Sequence, residues 1–205
     1  MADRVALVTG AAAGIGASCA RRLAQDGIAI GVLDLDAERC AGTVGEVEAA
    51  GGKAFALGAD ISDRAQVNSA VAALRTAMGP ITIVVNNAAI SGHVPFLEMT
   101  DQEWELMIKI NLTGTFIVTQ VVLPDMIAEG WGRIINISSS GAQTGAVKVA
   151  HYCASKGGVI SLTRALAHEF GPNGITANVI PPRFITGTIM SDKSFGGGQQ
   201  PQGRE

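Results

Sequence analysis

Short apolar runs rich in β-branched residues alternate along the chain with longer alanine-rich stretches that have helical spacing. The short runs are continuously apolar, which is typical of strands that are covered on both faces. This alternation predicts an α/β fold in which helices cover both faces of a parallel sheet, giving three layers with right-handed crossovers. The predicted strands are 5–9, 28–33, 53–58, 81–85, 133–137 and 175–180.

Capping residues locate the helices between these strands. Ser62 is the predicted N-cap of a helix that ends at Met78. Thr100 and Glu103 form a capping box, which opens a long helix towards residue 122. The other predicted helices are 15–26, 36–50 and 152–170.

Composition limits the classes of protein that this chain can belong to. With 47% hydrophobic and only 16% charged residues, the chain buries a large core and is not disordered. A net charge of -3 argues against nucleic acid as a partner. No apolar run reaches the roughly 18 residues of a membrane span, and the N-terminus lacks a signal-peptide pattern, so we expect a cytoplasmic protein without a membrane segment. Three scattered cysteines and three histidines predict no metal site.

A glycine-rich turn lies between the first strand and the first helix. The segment from Thr9 to Gly16 holds Gly10, Gly14, Ile15 and Gly16, where glycines let the backbone turn tightly and approach a pyrophosphate. The following helix N-terminus offers unpaired N–H groups to an anion. The turn therefore predicts a dinucleotide site, and an ordinary β-to-α turn is the alternative.

Two acidic residues follow neighbouring strands. Asp34, after the second strand, can accept hydrogen bonds from an adenosine ribose and would repel a 2′-phosphate. Ala13 and Leu35 are uncharged where an NADP site would favour arginine or lysine, so NAD is the predicted cofactor. Asp60 follows the third strand and can contact the adenine amino group. For both acids, a helix-cap or turn role is the alternative.

The chain has a single tyrosine, Tyr152, which lies four residues before Lys156. This spacing places the phenol and the ammonium one turn apart on the same helix face. A nearby cation, together with a cationic nicotinamide ring in a dry cleft, lowers the pKa of a phenol. The pair is therefore a candidate acid/base site, although an amphipathic surface pair has the same spacing.

Taken together, these motifs resemble those of the short-chain dehydrogenase/reductase superfamily, which includes 3-oxoacyl-carrier-protein reductases. The resemblance runs over roughly residues 4 to 190, with the motifs in the family's order. It implies a Rossmann-type doubly wound sheet. The matching segments are the glycine turn, Asn86-Asn87-Ala88-Ala89, Asn111, Ser138-Ser139-Ser140, Tyr152 with Lys156, and Asn178 to Pro182.

The resemblance implies four catalytic residues and a hydride transfer between NAD(H) and a secondary alcohol or ketone. Tyr152 would be the general acid or base, and Lys156 would lower its pKa and hold the nicotinamide ribose. Ser139, thirteen residues before the tyrosine, would hydrogen-bond the substrate oxygen. Asn111 would hold a water molecule in a proton path; a mid-helix asparagine bonding a local carbonyl is the alternative.

The resemblance also adds residues around the cofactor. Asn87 and Ala88 would line the cofactor, as would Ile61 next to Asp60, whereas Asn86 would brace the sheet. Ile185 would bond the nicotinamide amide through its backbone.

The chain also departs from the family's pattern. Arg183 stands where the family commonly has glycine; it either binds an acidic substrate group or faces solvent. The usual last strand is not readable after residue 190, so we expect one domain over 1–190 and a flexible low-complexity tail over 191–205. Helix pairing as in the family predicts a homodimer or homotetramer. A non-catalytic NAD-binding module is the alternative to an enzyme, and the small-molecule substrate is left open.

Overall fold

All strands that the structure describes lie in one parallel sheet. A computed structural model describes residues 4–183 and residue 185. Within them, six strands take the order β3-β2-β1-β4-β5-β6, which confirms the predicted doubly wound Rossmann-type fold. The strands are β1 (Val5–Thr9), β2 (Ala29–Asp34), β3 (Ala54–Gly58), β4 (Ile81–Asn86), β5 (Gly132–Ile137) and β6 (Ile175–Ile180).

Helices connect these strands across the two faces of the sheet. Two of them differ from prediction: the expected helix 36–50 begins with a 3-10 turn, Glu38–Cys40, and a short helix after β5 was not foreseen. The helices are α1 (Gly14–Gln25), α2 (Ala41–Ala49), α3 (Arg64–Met78), α4 (Asp101–Ile108), α5 (Thr115–Ala128), α6 (Gly141–Thr144) and α7 (Ala150–Phe170).

Successive side chains of each strand enter two separate cores. Leu7 belongs to the core under α3 and α5, together with Leu74 and Val118. Val8, the next residue, belongs to the core on the opposite face, where it packs with Ala20 of α1 and Val47 of α2. This period of two along β1 produces the predicted three layers.

The N-cap of α3 is Asp63 and not Ser62, so the predicted cap is wrong by one residue. The Asp63 carboxylate accepts hydrogen bonds from the N–H groups of Ala65 and Gln66. Ser62 instead donates its own N–H to Asp60 Oδ1 over 2.8 Å. Both residues are good caps, and the turn after β3 decides which side chain faces the helix.

The capping box of Thr100 and Glu103 is present and starts a helical run over Asp101–Ala128. A π-helical segment, Lys109–Gly114, interrupts it between α4 and α5. The run is long and apolar enough to cross a membrane by length and composition, so the expectation that no such run exists is wrong. Half of its most apolar window is buried within the fold, and core helices of soluble proteins pass the same test.

Strand β6 is the last strand of the described residues and pairs only with β5. Alternate residues Thr176, Asn178 and Ile180 are exposed among the described residues. The predicted tail, 191–205, lies outside the described residues.

Candidate active site

The candidate site lies where the carboxyl ends of β1, β4 and β5 meet. The order of the sheet reverses between β1 and β4, because β1 leads to β2 on one side and β4 leads to β5 on the other. Parallel sheets bind ligands in the crevice at such a switch point. Strands are about 4.8 Å apart, so the ends of β1 and β5 are about 10 Å apart.

The glycine-rich turn has the geometry that a pyrophosphate site requires. Gly10 and Gly14 adopt φ values of +61° and +59°, which glycine adopts without strain. A Cβ on Gly16 would lie 2.3 Å from the Gly10 carbonyl oxygen, so this close approach of helix and turn also requires glycine. The N-cap of α1 is Ala13, which has no side-chain cap, whereas Asp63 caps α3. Within the described part of the chain, the first N–H groups of α1 are thus without a side-chain acceptor, and this fits an anionic ligand.

Polar side chains at the end of β1 and after β4 hold this turn in place. The hydroxyl of Thr9 accepts hydrogen bonds from the N–H groups of Asn87 and Ala88, each at 3.0 Å. In return, Asn87 Nδ2 donates to the carbonyl oxygens of Thr9 and Gly10. Asn86 behaves as predicted and braces the sheet, since its amide donates to Asn136 of β5.

Asp34 lies at the end of β2 and is tied to the turn. Its carboxylate accepts hydrogen bonds from the N–H groups of Ala12 and Leu35, at 3.2 and 2.9 Å. Arg39 Nη1 lies 3.4 Å from Asp34 Oδ1. Sequence reasoning considered charge only at residues 13 and 35 and therefore missed this cation.

Asp60 and Ile61 follow β3, and the side chains of both residues contact other parts of the protein. Asp60 Oδ1 accepts from the Ser62 N–H, which is the turn role that the sequence left open. The side chain of Ile61 is buried and would contact a Cβ on Gly114. Their predicted contacts with a cofactor therefore depend on the second Asp60 oxygen and on backbone atoms.

Ser139 and Tyr152 meet at the end of β5. The Ser139 hydroxyl lies close enough to the Tyr152 phenol to influence its pKa, and Ser139 Oγ accepts a hydrogen bond from the Gly141 N–H at 3.1 Å. Ser138 is turned away, because its hydroxyl donates to the Lys156 carbonyl in the interior. The structure thus brings Ser139, and not its neighbour, to the phenol.

Lys156 is buried beneath this pair. Its ammonium donates to the Ile137 carbonyl over 2.8 Å and lies 6.0 Å from the centre of the Tyr152 ring. Burial lowers the pKa of Lys156 to about 8. Burial also raises the pKa of Tyr152 above its ordinary value, against a smaller lowering by the nearby Ser139 hydroxyl. The lowered phenol pKa expected from the sequence is therefore not found in the chain alone.

Asn111 is fully buried in the π-helical segment. Its side chain accepts from the Ile90 N–H and donates to the Ile90 carbonyl, at 2.9 and 3.0 Å. It also donates to Ser155 Oγ, which in turn donates to the Tyr152 carbonyl. Asn111 therefore joins the loop after β4 to the helix that carries the tyrosine. Its bonded carbonyl belongs to a distant loop and not, as the alternative supposed, to its own helix.

Arg183 and Ile185 lie beyond β6. The Ser140 N–H donates to the carbonyl of Pro182 over 2.9 Å, which places this segment beside the residues that follow β5. Arg183 and Ile185 are both exposed. The contact of Ile185 with a nicotinamide amide stays a prediction.

Comparison with known proteins identifies the family of the chain. The short chain dehydrogenase family matches residues 4–196. Nodulation protein G of Azospirillum brasilense is 41% identical over 191 residues, covering 93% of this chain and 77% of that protein. A granaticin polyketide synthase putative ketoacyl reductase of Streptomyces violaceoruber is 43% identical, covering 94% and 71%.

A solved structure shows the same fold. A single-residue variant of actinorhodin polyketide ketoreductase with NADPH superposes with a TM-score of 0.90 at 38% identity, covering 93% of this chain and 74% of that one. The glycine turn, the switch-point crevice and the serine–tyrosine pair are thus found in a chain that belongs to the short chain dehydrogenase family of oxidoreductases.

Proposed function

We propose that the protein is an NAD-preferring alcohol dehydrogenase or ketoreductase that interconverts a secondary alcohol and a ketone. Ser139, Tyr152, Lys156 and Asn111 are its functional residues. The observation that carries this proposal is the convergence of the Ser139 hydroxyl, the Tyr152 phenol and the buried Lys156 ammonium, which is 6.0 Å from the ring centre, at the carboxyl end of β5. A non-catalytic dinucleotide-binding module has no need for these polar groups to converge.

The chemistry of the proposed reaction is divided between the cofactor and the protein. A bound nicotinamide dinucleotide supplies or accepts the hydride. Tyr152 has a raised pKa and is protonated at neutral pH, which is the form that donates a proton to a carbonyl oxygen. Ser139 holds that oxygen beside the phenol. In the alcohol-oxidising direction the same phenol would have to lose its proton.

Lys156 and Asn111 assist Tyr152, the first through its charge and the second through positioning. Lys156 places a positive charge under the ring, where it favours the phenolate that remains after proton donation. Asn111 fixes the helix turn that carries the phenol, through Ser155. Its role in holding a water molecule is retained as part of the proposal.

Residues of the crevice would hold the dinucleotide. Gly10, Gly14, Ile15 and Gly16 would hold the pyrophosphate at the uncapped N-terminus of α1. Asp34 would accept the ribose hydroxyls, which favours NAD over NADP. The remaining contacts proposed are those of Asp60, Ile61, Asn87, Ala88, Tyr152, Lys156 and Ile185.

A homodimer or homotetramer is also proposed, with the run Asp101–Ala128 and α7 as its contact. This run leaves large apolar side chains in solvent, among them Trp104, Leu106 and Phe116. Exposed apolar side chains mark protein–protein contacts where they form one contiguous patch. Light scattering on the purified protein gives the oligomeric state, and a monomer would contradict the proposed homodimer or homotetramer. A cytoplasmic location is proposed with it.

The test of catalysis compares the parent protein with Tyr152→Phe. We expect the parent to oxidise NADH with some members of a panel of ketones, and the variant to be slower by about a thousandfold. Ser161→Ala removes an exposed hydroxyl from the same helix and serves as the matched control. NADH titration by fluorescence checks that the variants still bind. Equal rates for parent and Tyr152→Phe would defeat the proposed mechanism, and binding without turnover would favour the non-catalytic module.

A further inference from the structure

Arg39 lies above the carboxylate that the proposed cofactor site presents to the adenosine ribose. It belongs to the 3-10 turn Glu38–Cys40, which leads from β2 into α2. Its Nη1 atom is 3.4 Å from Asp34 Oδ1. The Arg39 side chain is 49% exposed and that of Asp34 only 14%, so the cation lies on the solvent side of the carboxylate.

We propose that Arg39 is a specificity-determining residue that receives a 2′-phosphate and so limits the discrimination of this protein against NADP. The inference rests on the proposed dinucleotide site. The contact of Arg39 with Asp34 changes the expected selectivity for NAD over NADP. Asp34 alone would exclude NADP strongly, whereas the Asp34–Arg39 pair excludes it weakly.

Asp34 cannot turn away from a 2′-phosphate. Its two oxygens accept hydrogen bonds from the N–H groups of Ala12 and Leu35, which fixes the carboxylate against the glycine turn. A 2′-phosphate is bonded to the ribose oxygen that Asp34 would otherwise accept, and it therefore lies close to this carboxylate. Two fixed anions at such a distance repel each other unless a cation lies between or beside them.

Arg39 is the cation that can reduce this repulsion. It is the single basic residue from 34 to 40, a segment that also holds the exposed acids Asp36 and Glu38. The separation of 3.4 Å is longer than the 2.7–2.9 Å of a strong charge-assisted hydrogen bond, so the guanidinium can leave Asp34 at little cost. Arginine presents a planar set of donors that matches a phosphate, and the exposed position leaves these donors accessible.

The first experiment measures dissociation constants by fluorescence titration, with NADH and NADPH as probes. We expect Arg39→Gln to raise the NADPH/NADH ratio of dissociation constants about tenfold, mainly through weaker NADPH binding. Arg39→Lys keeps the charge and is expected to restore most of the ratio. Arg22→Gln removes another exposed arginine of an ion pair, Arg22–Asp26, and is the matched control with an unchanged ratio.

A second experiment needs no variant and therefore stands if Arg39→Gln fails to fold. NADH and NADPH differ only in the 2′-phosphate, so the effect of salt on their ratio reports the sign of the charge that this phosphate meets. If Arg39 receives the phosphate, added salt weakens NADPH relative to NADH. If Asp34 and the net charge of -3 dominate, added salt strengthens NADPH relative to NADH, and the proposal is overturned.

The outcomes separate this inference from the proposed function. If the parent binds neither probe, the dinucleotide site itself is wrong. If the parent binds NADH and Arg39→Gln leaves the ratio unchanged, or weakens both probes equally, Arg39 has a structural role only. A ratio that rises in Arg39→Gln and stays low in Arg39→Lys supports the specificity role.

Discussion

Replacing Lys156 with methionine should make the protein more stable at neutral pH while it removes a proposed catalytic group. Lys156 is nearly completely buried, and its ammonium has one described hydrogen bond, to the Ile137 carbonyl. Methionine has a similar length and no charge, so it fills the same space without a desolvation cost.

The magnitude follows from the pKa of Lys156. The difference between its ordinary value of 10.5 and the buried value of about 8 corresponds to about 3 kcal/mol against the charged form. Leaving the Ile137 carbonyl unpaired costs about 1–3 kcal/mol in the variant. The free energy of unfolding of Lys156→Met at pH 7 should therefore exceed that of the parent by about 1 kcal/mol.

The pH dependence of the stability difference between variant and parent is a sharper test than its value at pH 7. Between pH 8 and pH 10.5 the unfolded parent holds the Lys156 proton and the native parent has lost it, so the stability of the parent rises with pH. The variant lacks this rise, and its advantage should fall by about 3 kcal/mol and change sign over the same interval. Taking the difference between variant and parent cancels the other groups that titrate there, such as Cys19 and Cys40.

Urea unfolding of both proteins at pH 7 and pH 10 measures this difference. Lys53→Met replaces a lysine whose side chain lies in solvent, and it should leave the pH dependence of stability unchanged. A difference between Lys156→Met and parent that is the same at both pH values would refute the reasoning.

Three further predictions concern the crevice. Gly16→Ala places a Cβ 2.3 Å from the Gly10 carbonyl oxygen. We therefore expect the free energy of unfolding in urea to fall by about 2 kcal/mol and NADH binding to weaken in fluorescence titration. Parent-like values would contradict the packing described. Asn111→Ala leaves the Ile90 N–H and carbonyl without their side-chain partner, so the free energy of unfolding should fall by about 3 kcal/mol, and a loss smaller than about 1 kcal/mol would mean that water replaces the amide. Asp34→Ala should shift the NADPH/NADH ratio of dissociation constants towards NADPH, and an unchanged ratio would count against the ribose role of Asp34.

Local sequence signals predicted the strands well. Strands β1 and β6 begin and end at the predicted residues. Gly10 ends the apolar run of β1 and Gly174 precedes the apolar run of β6, and both glycines have positive φ. Local signals were weaker where several residues compete for one role. The segment from 60 to 63 offers three possible caps, and only the path of the turn assigns the N-cap of α3 to Asp63.

The candidate site was predicted as a set of residues but not as a set of contacts. The meeting of Ser139 and Tyr152 follows from the spacing that the family shares. The contact of Arg39 with Asp34 depends on a 3-10 turn, and that of Asn111 with Ile90 depends on a π-helical segment. Neither irregular helix has a distinct composition, and burial of Lys156 depends on neighbours from distant parts of the chain.

Among the described residues, uncharged side chains connect the glycine-rich turn to β4 and to the residues that follow it. The Thr9 hydroxyl and the Asn87 carboxamide take part in five hydrogen bonds across the crevice, one of which the Thr9 hydroxyl donates to the Val85 carbonyl. Neither group ionises in water, so changes in pH and salt leave these hydrogen bonds in place while they alter the charged contacts around them. The affinity for a proposed charged ligand should therefore vary with pH and salt while the geometry of the turn stays the same.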